Sequence, residues 1–155
     1  MNSFLEINNL SKVYNDKSEQ ITIFENTNFK LESNQLVTLT GPSGSGKSTL
    51  IHTLCLLDSP NNGSFFLKQS EDLFKKNENE KSTFRKNNIS IVFQSFNLIS
   101  DLTAIENVML PSLYSGNDNN ETETDALRLL RKMNLENRIN HYLKNCQGES
   151  SKELL

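Results

Sequence analysis

The sequence predicts an α/β fold: an antiparallel β layer, a core strand feeding a glycine-rich loop and a helix, then a helical subdomain. Three observations carry this. Gly41-Pro42-Ser43-Gly44-Ser45-Gly46-Lys47-Ser48-Thr49 fits G-x-x-x-x-G-K-[ST], with the β-prone run 35–40 before it and an apolar run of helix length, 50–57, after it. Short β-prone runs crowd the chain up to Gln94. Beyond Gln94 the apolar spacing turns helical.

Taken in order, residues 4–10 alternate apolar and polar side chains and read as a half-buried strand, with Tyr14 following its end. Residues 20–24 form a second β candidate. Residues 26–31, with Thr27, Phe29 and Leu31 alternating, form a third. These make an antiparallel layer beside the strand at 35–40. Pro60-Asn61-Asn62-Gly63 is a turn leading into an aromatic strand at 64–67. Residues 71–87 are highly charged, with Leu73, Phe74 and Phe84 as anchors, and read as a surface helix and loop. Residues 89–93 are a short buried strand ending on Gln94.

In the second half, Thr103 with Glu106 three residues later is a capping box that opens a helix. Pro111 interrupts or kinks it. Residues 117–120 are a polar loop. Residues 121–133 are helical, with Ala126, Leu129, Leu130 and Met133 on the apolar face and basic residues in the last turns.

The glycine loop carries the chemistry. Its glycines let successive backbone N–H groups point inward as a nest for phosphate oxygens, and the following helix adds its positive end. Lys47 reaches the outer phosphates, and the Ser48 hydroxyl is placed to ligate Mg²⁺. A nucleoside triphosphate is the expected ligand.

The 155 residues allow one domain or most of one, and 35% hydrophobic content allows a packed but modest core. A net charge of −3 gives no reason to expect nucleic acid or an anionic membrane as partner. Cys55 and Cys146 have neither disulfide nor metal-ligand spacing, which suits a reducing cytosol. No run is apolar and long enough to span a bilayer, and no signal peptide opens the chain, so a cytoplasmic protein is expected.

Further residues sharpen this reading. Besides 41–49, the chain carries Leu56-Leu57-Asp58-Ser59-Pro60 with Gly63, Val92-Phe93-Gln94-Ser95-Phe96-Asn97-Leu98-Ile99, and Leu102-Thr103-Ala104-Ile105-Glu106-Asn107-Val108. Over residues 3–144 it resembles the ATP-binding subunits of ABC transporters, closest to the bacterial lipoprotein-release, macrolide-export and antimicrobial-peptide-export branch. The resemblance implies a P-loop NTPase fold of ABC type, with residues 1–94 as part of the ATP core and 95–144 as the helical subdomain. It implies ATP and Mg²⁺ as cofactors, with Tyr14 stacked on adenine (a core tyrosine is the alternative) and Gln94 contributing to Mg²⁺ and the attacking water. The implied partners are a membrane permease, gripped by the helical subdomain at the inner face of the membrane, and a second ATP-binding subunit. His52 and His141 match no catalytic motif and read as surface or structural residues.

The resemblance ends at residue 144. There the family pattern requires Leu-Ser-Gly-Gly-Gln/Glu, whereas this chain continues Asn145-Cys146-Gln147-Gly148-Glu149. The Walker B strand, its catalytic glutamate and the switch histidine are absent, so the fold is expected to be incomplete. Restoring one A to an A-run over the Lys144 and Asn145 codons lets an allowed codon choice read Leu-Lys-Lys-Leu-Ser-Gly-Gly-Glu-Gln-Gln-Arg-Val-Ala. Residues 145–155 are therefore expected to be an aberrant frameshifted tail. With no catalytic carboxylate, the chain is expected to bind ATP at best. The alternatives are a non-hydrolysing ATP-binding module that docks a permease, or an inert fragment.

Overall fold

A computed structural model describes residues 4–16, 19–68, 70–94 and 97–142. The chain divides into two compact units, Met1–Ile91 and Val92–Leu155. The tail at 145–155, with Cys146, lies outside the described residues, as do Ser95 and Phe96.

The first unit is built on a three-stranded antiparallel sheet in the order β2-β1-β3, from β1 (Leu5–Asp16), β2 (Glu19–Leu31) and β3 (Asn62–Leu67). The second and third β candidates are one continuous strand, and β1 runs six residues past the predicted strand. The reason is local. Asn9 and Asn26 adopt left-handed φ of 50° and 49°, absorbing irregularities that would otherwise end the ladder. The same irregularity breaks the two-residue period, so Ile7 and Leu10 are both fully buried. Gly63 faces it from β3, where an added Cβ would meet the Leu10 Cα at 2.7 Å.

Helix α1 (Lys47–Leu54), a 3₁₀ turn (Leu73–Lys75) and α2 (Glu78–Asn88) complete this unit. Its core joins Ile7, Leu10, Leu56, Phe65, Leu67 and Leu73, with Leu50, Leu54, Phe74 and Phe84 packed against it. Phe65 and Leu67 alternate inward along β3, as an aromatic strand with one buried face should. The charged stretch 71–87 is indeed held by its three apolar anchors.

Two predicted strands do not form. Residues 35–40 and 89–93 pair with no strand among the described residues. Leu36 is 97% exposed and Val92 fully so. β-propensity expresses itself through cross-strand packing, and neither run has a described neighbour to supply it.

In the second unit, α3 (Ala104–Tyr114) packs with α4 (Asn119–Lys132) through Ile105, Met109, Ala126 and Leu130. The capping box forms as predicted: Thr103 Oγ1 accepts from Glu106 N, and the Glu106 carboxylate accepts from Thr103 N at 2.7 Å. The carbonyls of His141 and Ile139 accept from Ala104 N and Ile105 N, satisfying two further N–H groups of that helix end. Pro111 does not interrupt α3, which continues for three more residues. Helix α4 starts inside the predicted polar loop because the Asp118 carboxylate caps Asn120 N and Glu121 N. Thr122, Ala126 and Leu130 form its buried stripe, while the expected core residues Leu129 and Met133 are exposed.

Candidate nucleotide site

The glycine loop and α1 meet as the motif requires. Gly46 is the N-cap residue of α1 at φ 82°, a left-handed conformation that costs glycine nothing. An added Cβ there would lie 2.5 Å from Ile23 Cγ2, so the loop rests directly on β2. No side chain caps the helix and no acidic residue stands in its first turn. The N–H groups of Lys47, Ser48 and Thr49 thus keep their capacity for an acceptor from outside the helix.

Lys47 leans back over the same loop. Its ammonium donates to Gly41 O at 2.9 Å, Pro42 O at 2.6 Å and Ser45 Oγ at 3.3 Å. Three donors meet three neutral acceptors, and the cation is held at the mouth of the nest. Pro42, Ser43, Gly44 and Ser48 are exposed, so the Ser48 hydroxyl is open to a metal ion or solvent.

Tyr14 stands near the end of β1, 45% exposed, which excludes a core tyrosine. Its hydroxyl donates to Asp58 Oδ2 at 2.9 Å. Asp58 follows α1, and its other oxygen accepts from Lys12 Nζ at 2.7 Å. Lys12 also donates to Ser59 O at 2.6 Å, and its ammonium lies 4.8 Å from the Tyr14 ring centroid. The hydrogen bond to Asp58, with burial and the carboxylate charge, raises the Tyr14 pKa above its ordinary value; Lys12 and the Thr49 hydroxyl pull the other way. Burial pushes Asp58 up, but hydrogen bonds from Lys12 and Tyr14 outweigh it and hold the carboxyl below its usual value.

The structure therefore ties Tyr14 to Asp58, just past the end of α1. Gln94 is exposed and belongs to the second unit. His52 and His141 are exposed, in keeping with their reading as surface residues. Burial raises the Cys55 thiol pKa, as suits a small apolar residue. No group of residues that could hold a metal by acidic, histidine or cysteine ligands alone occurs among the described residues.

Lys12 is the residue the sequence reading passed over. Its position two residues before Tyr14 puts both on one face of a strand, but nothing in the sequence pairs it with Asp58, forty-six residues away.

The family model for ABC transporters matches residues 24–152. An uncharacterized ABC transporter ATP-binding protein of Methanocaldococcus jannaschii is 37% identical over 144 residues, covering 93% of this chain and 64% of that protein. The lipoprotein-releasing system ATP-binding protein LolD of Idiomarina loihiensis is 34% identical, covering 90% of this chain and 60% of LolD. The macrolide export ATP-binding/permease protein MacB of a Shewanella species is 33% identical over 90% of this chain, but only 21% of MacB is covered. The chain thus spans less than two thirds of each of these relatives. Among solved structures, the dimeric ATP-binding cassette MJ0796 bound to ADP and Pi superposes with a TM-score of 0.82 at 33% identity, over 90% of this chain and 62% of the cassette. A match through 24–152 that includes the loop at 41–49 and its helix leaves one conclusion: this chain belongs to the ABC transporter ATP-binding family.

Proposed function

We propose that the chain binds Mg²⁺·ATP through residues 41–49, with Tyr14 stacked on adenine and Ser48 ligating the metal. The observation that carries this is the convergence of the uncapped first turn of α1 with the Lys47 ammonium on one glycine loop. Phosphate oxygens are charged acceptors, so they compete well with the neutral carbonyls that now hold Lys47. Gln94 is proposed, on the family resemblance alone, to answer to the bound metal and the attacking water.

In the transporter, the proposed role is the ATP-binding part of a lipoprotein-releasing or export system. It would act at the cytoplasmic face of the membrane with a permease and a second ATP-binding subunit. The names of LolD and MacB support that reading, as does the dimeric state of the related cassette. No helix of the described residues is long and apolar enough to cross a membrane. Binding without turnover is the reading for these 155 residues alone, since they contain no apolar strand run closing on an Asp-Glu pair.

Calorimetric titration of the full chain with Mg²⁺·ATP tests the proposal. Lys47→Ala should weaken binding about 10- to 100-fold, the range for losing a charge-assisted hydrogen bond. Binding that ignores this substitution, or no binding by the wild-type chain, would sink it in favour of an inert fragment.

A further inference from the structure

We propose that Asp58 is a positioning residue that sets the Tyr14 ring for base stacking, and that Lys12 holds Asp58 in register. This rests on Tyr14 being the base platform.

Asp58 uses both carboxylate oxygens, one on the Tyr14 hydroxyl and one on the Lys12 ammonium. A tyrosine near a strand end would otherwise rotate freely, and a ligand would have to immobilise it at an entropic cost. Tethered through its hydroxyl, the ring is ordered before a base arrives. Lys12 decides which face is used. Its ammonium lies over one face of the ring, leaving the opposite face for a flat aromatic ligand. Lys12 is itself fixed, only 7% exposed and held by the Ser59 carbonyl as well as Asp58. The turn that carries Asp58 is laced to β1 by two more bonds, Val13 N to Asn61 Oδ1 at 2.7 Å and Asn61 N to Ser11 O at 3.0 Å. Asp58 therefore reports on the base, while the glycine loop reports on the phosphates.

Two ligands separate those roles: Mg²⁺·ATP, and inorganic tripolyphosphate with Mg²⁺, which has no base. In the full chain, Asp58→Asn should weaken ATP about 3- to 10-fold, the span of one net hydrogen bond, and change tripolyphosphate by less than about 2-fold. Tyr14→Phe keeps the ring and removes its tether, so it should give the same selective loss. Adding Asp58→Asn to it should cost less than about a further 2-fold. Equal losses for both ligands would make Asp58 a stability residue only and overturn the proposal, as would full additivity of the two substitutions. If Asp58→Asn fails to fold, Tyr14→Phe decides alone: unchanged ATP affinity overturns the inference. Tyr14→Ala tests the underlying reading separately. If it leaves the ratio of ATP to tripolyphosphate affinity unchanged, Tyr14 is no base platform and the inference falls with it.

Discussion

The Arg85 guanidinium donates to the carbonyl oxygen of Leu56 at 2.7 Å, tying α2 to a residue twenty-nine positions earlier that holds a left-handed φ of 57°. Leu56 is a buried core residue in a conformation that costs a branched side chain about 1–2 kcal/mol. The Arg85 bond helps hold it there. Arg85→Ala should therefore destabilise the chain by about 1.5–3 kcal/mol, the span for a hydrogen bond to a charged group, read as a lower midpoint in urea.

Asp58 makes acid stability predictable. Its carboxyl is held below the ordinary value, so near pH 4 the unfolded chain binds more protons than the folded one. The stability it contributes is complete above the unfolded pKa and drains away as pH falls through the folded one. Asp58→Asn should flatten that acid limb in a series of thermal melts. At neutral pH it should cost about 1–3 kcal/mol, less than a fully buried pair because the Asp58 side chain is 31% exposed. Tyr14 works in the opposite sense. Its raised pKa means that its contribution is present below about pH 10 and lost as pH rises through the folded value.

Gly46 rests on Ile23, and two separate penalties follow from filling that gap. Gly46→Ala brings a Cβ against Ile23 Cγ2 at 2.5 Å and places alanine at φ 82°. We expect ATP affinity to fall at least about 10-fold, since both effects distort the loop by an energy above about 1.4 kcal/mol. Ile23→Ala removes the clashing methyl, and in the double variant it should restore part of the affinity but not all. Full recovery would show that backbone strain contributes nothing.

Thr103 caps α3 while its Glu106 partner returns the bond, and the two bonds from Thr103 lower the Glu106 pKa. Thr103→Ala should cost about 0.5–2 kcal/mol, and amides in the first turn of α3 should exchange faster with deuterium. Thr103→Ser should behave nearly as wild type.

The run at 35–40 predicts behaviour at concentration. It is β-prone and apolar, it has no ladder partner among the described residues, and Leu36 is almost wholly exposed. Such a run invites edge pairing between molecules. Leu36→Lys should reduce light scattering while changing the melting free energy by less than about 0.5 kcal/mol.

The shape of the glycine loop was legible because a loop that opens a helix is a local device. Spacing alone names Gly46, Lys47 and Ser48, and the structure assembles them around one helix end. The capping box at Thr103 was legible for the same reason. The strands at 35–40 and 89–93 were misjudged because propensity says what a segment tolerates, and pairing depends on neighbours. The division at Phe24 into two strands failed because the asparagine at 26 bends the ladder without ending it. Lys12 could not have been found: its meaning lies in Asp58, which only tertiary structure brings near.

The contact between Gly46 and Ile23 also constrains the order of folding. Ile23 belongs to the hairpin of β1 and β2, whose pairing is local in sequence and forms on microsecond scales. The glycine loop is bridged from within by the Lys47 ammonium, but its floor is a side chain the hairpin must first deliver. In a refolding experiment, the hairpin amides should gain protection before Mg²⁺·ATP can be captured. Slowing the hairpin by substitution should slow capture by the same factor.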